Sequence, residues 1–273
     1  MKKLSFILIA ILAFSCKEAP NSETSEPTED VKPQVEGITY EEYSAPEPTE
    51  PEATEYYEPK VAVVTPGKEG APPSDAIVLF DGSNLDAWVS SKDSTAAPWH
   101  LNKNGSMTVN DKTGNIQTKQ NFGDIQLHIE WKSPEEVRRE GQNRGNSGVF
   151  LNGIYEIQVL DNNDNPTYVN GQVGSIYKQG PPLAMASVPS GEWNTYDIIY
   201  HMPEFNAAGA KTKSATVTVL QNGVLIQDHT EIKGTTPYIG WPKNDPHGKG
   251  PIMLQDHGDD SRVSYRNIWV REL

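Results

Sequence analysis

The sequence carries one cysteine in 273 residues, only 23 lysines and arginines against 37 aspartates and glutamates, and 8% aromatic residues. A single cysteine excludes an internal disulfide framework and a cysteine-rich zinc site. The shortage of positive charge, a formal net of -14, argues against a protein that tracks phosphates, so nucleic acid is not an expected partner. The deficit is uneven. Up to Asp75 there are about 15 acidic and 6 basic residues, and beyond it about 22 and 17, so most of the acidity sits in the first quarter of the chain.

Lys2 and Lys3 precede an apolar run from Leu4 to Phe14. Such a run suits a signal-peptide core and is too short to span a bilayer. It leads into Ala13-Phe14-Ser15-Cys16, which resembles a bacterial lipobox. The expectation is a lipoprotein signal peptide over residues 1–15 and lipidation at Cys16, with a soluble secreted protein as the alternative. A chain of this kind is secreted across the inner membrane and held by its lipid in the cell envelope, periplasmic or at the cell surface. Residues 16–75 read as an acidic Pro/Glu/Thr-rich disordered tether, with near-repeats such as Glu47-Pro48-Thr49-Glu50-Pro51-Glu52 and no apolar periodicity. Tyr40, Tyr43, Tyr56 and Tyr57 interrupt it.

Residues 76–273 change character. Short apolar or alternating runs follow one another, separated by turn signals. In Asp124-Ile125-Gln126-Leu127-His128-Ile129-Glu130-Trp131 the alternation is strict, which predicts a half-buried strand with His128 and Glu130 on an exposed face. Asn222-Gly223 between two runs predicts a type I′ hairpin. Ten or more short strands without a long amphipathic helix predict an all-β fold, an antiparallel β-sandwich.

Several motifs then occur in order: Leu79-Phe80-Asp81-Gly82 with Leu85 and Trp88; Asn146-Ser147-Gly148-Val149-Phe150; Tyr155 to Asp161; Gly174-Ser175-Ile176-Tyr177; Glu192-Trp193-Asn194-Thr195-Tyr196; Gln221-Asn222-Gly223; Leu254-Gln255-Asp256-His257-Gly258; and Arg266-Asn267-Ile268-Trp269. Together they resemble the 3-keto-disaccharide hydrolase domain family, over Ala76 to Leu273. The resemblance implies a concanavalin A-like jelly roll of two curved antiparallel sheets, a carbohydrate substrate, and activity on glycosides oxidised at C3.

A ketone at C3 acidifies the C2 proton, so the bond at C1 can break by proton abstraction and elimination followed by hydration. That chemistry needs a base titrating near neutrality, an enolate stabiliser and an acid for the leaving group. Glu156 and Gln158 are two apart on one strand and share a face. The spacing Glu-x-Gln-x-x-Asp resembles the signature of jelly-roll endoglucanases. It departs from that signature at its last two acidic positions, which disfavours a two-carboxylate glycosidase. Gln255 and His257 share a face on a second run, and histidine titrates in the right range. Glu156 and His257 are therefore the catalytic candidates. Asn146, Gln158 and Gln255 are candidates for binding sugar hydroxyls, and Tyr177 and Trp241 for stacking on a pyranose. Lys178 and the loop Pro246 to Gly250 are candidate rim cations, and Arg266 is expected to serve structure.

Cofactors are less legible. Asp161-Asn162-Asn163-Asp164-Asn165 begins like a calcium loop, but Pro166 and Gln172 stand where glycine and the closing glutamate belong, which excludes an EF-hand. No nucleotide cofactor is expected, and a catalytic divalent metal stays open. A non-catalytic carbohydrate-binding module and a structural surface protein are the alternatives. An enzyme requires Glu156 and His257 to converge in one pocket.

Overall fold

The computed structural model describes residues 47–273. The expected signal peptide, Cys16, Tyr40, Tyr43 and the tether up to residue 46 lie outside the described residues. Residues 47–61 belong to a separate unit, with a single 3-10 turn at Pro51–Thr54 whose residues are all exposed.

Residues 62–273 form one compact unit. Alternating apolar residues build two antiparallel sheets, with strands numbered in chain order. The larger sheet has eight strands. Its path is β13 (Val224–Ile232), β12 (Ala215–Gln221), β9 (Asn194–His201), β6 (Ile125–Lys132), β15 (Ser264–Glu272), β4 (Met107–Thr108) and β3 (His100–Leu101), with β1 (Ile77–Phe80) also paired to β15. The smaller sheet runs β2 (Trp88–Ser90), β5 (Ile116–Thr118), β14 (Met253–Leu254), β7 (Ser147–Leu151) and β8 (Tyr155–Val159). A two-stranded ribbon, β10 (Glu204–Phe205) with β11 (Lys211–Lys213), completes the set. This is the jelly-roll sandwich expected, and the Asn222-Gly223 turn has both residues at positive φ, 51° and 79°, as a type I′ turn demands.

The core lies between the sheets. Ile125, Leu127, Ile129 and Trp131 point inward from β6, and Tyr155, Ile157 and Val159 face them from β8. Two core tyrosines tie the layers together. Tyr196 of β9 donates across the core to the Gln158 carbonyl (2.8 Å), and Tyr265 of β15 donates to Ser147 Oγ (2.7 Å), which in turn donates to the Gln255 carbonyl (2.6 Å). The large sheet thereby sets the positions of β7, β8 and the chain leaving β14.

The expected exposed face at His128 and Glu130 is in fact buried, with only 4% and 8% of these residues exposed. The covering chain is the segment of residues 62–75. The Gly70 carbonyl accepts hydrogen bonds from Asn267 Nδ2 (2.9 Å) and Trp269 Nε1 (3.0 Å), and Asp75 pairs with Arg271 (2.7 Å). Beneath this strap, His128 stacks on Trp269, with ring centroids 5.1 Å apart, and its Nδ1 meets Asp197 Oδ1 at 2.7 Å. Asn267 Nδ2 donates to Glu130 Oε1 at 2.8 Å, and Arg266 pairs with Glu130 at 2.6 Å while its guanidinium lies over Trp193. Asn267 reaches this network because β15 shifts register between Arg266 and Trp269, with Asn267 itself at φ 47°, a bulge that turns both Arg266 and Asn267 outward. Arg266 thus has the structural role expected of it.

Burial alone would lower the His128 pKa, but the Asp197 and Glu130 carboxylates outweigh it and carry it up to about 9. Burial likewise pushes Glu130 upward, and His128, Asn267 and Arg266 together bring it down to about 2. The stability supplied by protonated His128 is complete below its ordinary value of 6.5 and is lost as pH rises through about 9. The chemical-denaturation midpoint should therefore fall between these pH values, and fall less in His128→Gln. Deleting residues 62–74 should lower the unfolding free energy by about 2–4 kcal/mol, from two lost hydrogen bonds and uncovered apolar surface.

Candidate active site

The face of the five-stranded sheet turned away from the core carries Glu156 and Gln158 from β8, Gly148 and Phe150 from β7, and Gln255 just beyond β14. Pairing sets Phe150 opposite Glu156 and Gly148 opposite Gln158. These residues enclose a pocket of 280 Å³ lined by Asn146, Phe150, Glu156, Gln158, Tyr177, Thr236, Tyr238, Gln255 and His257. That is close to the lower bound for small-molecule sites, roughly 300 Å³. The structure brings Glu156, His257, Asn146, Gln158, Tyr177 and Gln255 together as the sequence predicted. Trp241 is not among them. It stands 89% exposed beyond Gly240, which turns the chain at φ 111° and leaves Tyr238 at the pocket wall instead. Of the expected rim cations, Lys178 adjoins Tyr238, whereas His247 bonds the Tyr155 hydroxyl and Lys249 pairs with Glu272.

Glu156 is the most constrained of these residues. A Cβ built on Gly148 would lie 2.5 Å from Glu156 Oε1, so only glycine leaves room for the carboxyl to lie over β7. Loops pair with the free edge of β8 at this residue, which is only 4% exposed: the Glu156 carbonyl accepts from Tyr177 N (3.1 Å), and Glu156 N donates to Thr236 Oγ1 (3.0 Å). Among the described residues Glu156 forms no ion pair, and burial raises its pKa from 4.5 to about 8, leaving the carboxyl protonated at neutral pH. The Gln158 amide lies 3.1 Å from Glu156 Oε1 and 2.9 Å from the Ser147 carbonyl. With its nitrogen toward them it donates to both acceptors.

His257 also lines the pocket and is partly open to solvent. Its Nδ1 is 2.9 Å from Asp259 Oδ2, and the Asp259 side chain is only 9% exposed. A carboxylate on Nδ1 fixes the tautomer that leaves Nε2 with a free lone pair. Asp256 takes no part in the pocket. It ties down the loop by accepting from Gly114 N and Gly258 N, both at 2.9 Å.

Two further acceptors, Asn146 Oδ1 and Gln255 Oε1, are buried and have no partner among the described residues. Asn146 is held by its Nδ2, which donates to the Gln142 carbonyl at 2.6 Å. Buried acceptors without donors are uncommon, and in a pocket they suit a ligand rich in hydroxyls. Tyr177 shares its hydroxyl with Tyr168 (2.8 Å), and burial pushes its phenol up, so it stays protonated. Asp161 serves structure, pairing with Arg144 (3.1 Å) and accepting from Ser190 Oγ (2.7 Å). Among the described residues no group of three or more His, Cys, Asp or Glu is arranged to hold a metal ion.

Sequence reasoning missed Thr236, Tyr238 and Asp259. The first two lie in a loop without periodicity. Asp259, two residues after His257, was readable as a short-range partner.

Residues 75–271 match the model of the 3-keto-alpha-glucoside-1,2-lyase-like domain. A candidate glycosyl hydrolase from Parabacteroides distasonis ATCC 8503, known from a crystal structure, is 54% identical, with 88% of this chain and 99% of that one covered and a TM-score of 0.78. That coverage exceeds what residues 75–271 account for, so the likeness reaches into the segment before them. A second candidate glycosyl hydrolase of the same organism shares the fold at 19% identity, with a TM-score of 0.53 over 73% of this chain and 94% of that one. No curated protein matches the sequence.

The packing at Gly148 generates a prediction. Gly148→Ala should displace the Glu156 carboxyl and lower stability by about 1–3 kcal/mol, read from denaturant unfolding. Combining it with Glu156→Ala should recover part of that loss and not all of it, because the added Cβ would also lie 2.8 Å from Phe150 Cε2.

Proposed function

The chain belongs to the 3-keto-alpha-glucoside-1,2-lyase-like family, and from that premise we propose that its pocket cleaves 3-keto-glucosides or 3-keto-disaccharides by elimination and hydration. The observation that carries this reading is the pairing, in one pocket, of a neutral buried carboxyl with a carboxylate-oriented imidazole. An elimination needs one group that can deliver a proton and another with a lone pair free to take one.

His257 Nε2 takes the C2 proton, and the electrons of the C–H bond pass into the C3 carbonyl to give an enolate. The enolate reforms the ketone, the double bond moves to C1–C2, and the C1–O bond breaks onto the leaving oxygen, which receives the Glu156 proton. Water then adds. Its oxygen bonds to C1 and one of its protons returns to Glu156, while the imidazolium returns a proton to C2. The sum is hydrolysis of the glycoside. Gln158 holds the Glu156 carboxyl, Asn146 and Gln255 orient the sugar hydroxyls, and Asp259 keeps the imidazole in its reactive tautomer.

The purified protein, incubated with and without chelator, should release sugar from a 3-keto-glucoside and none from its unoxidised parent. The rate should fall as pH rises through about 8, where Glu156 loses its proton. Glu156→Gln should lower kcat by ~10²–10⁴-fold and abolish that alkaline limb, and His257→Ala should lower kcat over the same range. Equal release from the unoxidised glucoside, or sugar binding without release, would overturn the reading, the second outcome in favour of a binding module. For the lipid anchor, the corresponding test is Cys16→Ala, which should shift the chain from the membrane to the soluble fraction.

A further inference from the structure

A pocket of 280 Å³ is at the small end for ligand sites, so the leaving group of such a substrate extends toward its mouth. The group that stands there is Tyr238, which lines the pocket while 70% exposed. We propose that Tyr238, fixed by Lys178, is the platform for an aromatic leaving group of the glycoside, an inference that rests on the function proposed above.

An exposed tyrosine is ordinarily free to change rotamer, but the chain around this one is tied down. Lys178 Nζ donates to the Tyr238 carbonyl at 2.6 Å and lies 4.6 Å from the centre of its ring. Lys178 itself is held at φ 58°, a conformation that a lysine keeps only when its surroundings impose it. Gln179 secures the same loop, donating to the Gly234 and Thr235 carbonyls at 2.9 and 3.1 Å and accepting from Lys233 N at 2.8 Å. Thr236 bonds the Ile154 carbonyl at 3.2 Å as well as Glu156 N, so the loop carrying Tyr238 is registered directly to the strand carrying Glu156. An aromatic ring ordered in advance binds a flat partner without a further entropic penalty.

The surroundings favour an aryl group over a second sugar. Tyr168, 39% exposed, adjoins the same wall, its hydroxyl 2.8 Å from that of Tyr177 and its ring within 5.6 Å of Lys178 Nζ, and adds aromatic surface there. A phenolic oxygen also spreads the electron pair it takes from the C1–O bond into its ring, and the Lys178 ammonium adjoining the platform favours that negative charge until Glu156 delivers its proton.

Binding separates this inference from the catalytic one, because it can be measured with glucosides that are not oxidised. Calorimetry of the full chain with phenyl, methyl and glucosyl glucosides should show phenyl affinity about tenfold weaker in Tyr238→Ala, methyl affinity unchanged, and Tyr238→Phe close to wild type. Lys178→Met should reproduce the selective loss in part. Equal weakening for all three ligands, or the greatest loss for the glucosyl compound, would overturn the proposal. Selective loss of phenyl binding in a protein that cleaves none of the 3-keto forms would support the platform and sink the proposed reaction.

Discussion

The site depends on keeping one carboxyl out of water without giving it a cation. Glu156 projects from the outward face of a sheet, where such a side chain is ordinarily hydrated and ionised. Here Gly148 lets it lie flat across β7, the segments carrying Tyr177 and Thr236 bind the edge of its strand, and among the described residues it forms no ion pair, the nearby Lys178 being engaged with the Tyr238 carbonyl. Desolvation is then unopposed and holds the proton on at neutral pH. Whatever binds in the pocket meets a proton donor, not a negative charge.

The other outward face provides an internal contrast. His128 and Glu130 are buried to a similar degree, on a strand with the same alternation, yet each is saturated: His128 by Asp197, Glu130 by Arg266 and Asn267, with Trp269 and the residue 62–75 strap on top. Their charges are compensated and their hydrogen-bonding capacity is spent on the fold. Among the described residues, the small-sheet face instead leaves Asn146 Oδ1 and Gln255 Oε1 without partners and Glu156 without an ion pair. Burial is common to both faces, so it cannot mark function. What distinguishes them is whether the buried groups are satisfied within the chain.

This contrast also accounts for what could be read from the sequence. Alternation is a local property, so the strand from Tyr155, the shared face of Glu156 and Gln158, and the Asn222-Gly223 hairpin were all legible, and the ordered motifs carried the fold as a whole. The cover over each face is not local. Residues 62–75 are rich in proline and glycine and have no period, so nothing in them announced that Gly70 would accept from Asn267 and Trp269 and turn the exposed face of β6 into an interior. The bulge at Asn267 interrupts the alternation of β15, and no local pattern announces it. Trp241 and Tyr238 lie in one aperiodic loop, and the turn at Gly240 separates Tyr238, which lines the pocket, from Trp241, which does not.

Gln158 connects the fold to the proposed chemistry. In a two-carboxylate glycosidase a second acidic group on this face stabilises positive charge developing at C1. Elimination beside a ketone develops negative charge instead, first on the enolate oxygen and then on the leaving oxygen, and a carboxylate within a few ångströms would oppose both. An amide of the same shape avoids that repulsion, can donate to Glu156 and the Ser147 carbonyl, and leaves the pocket with one neutral acid. Asp161, the other departure from the acidic signature, is drawn off the face entirely by Arg144 and Ser190. The replacement of one acid and the sequestration of the other thus act in the same direction, toward a site electrostatically suited to an anionic transition state and poorly suited to an oxocarbenium ion.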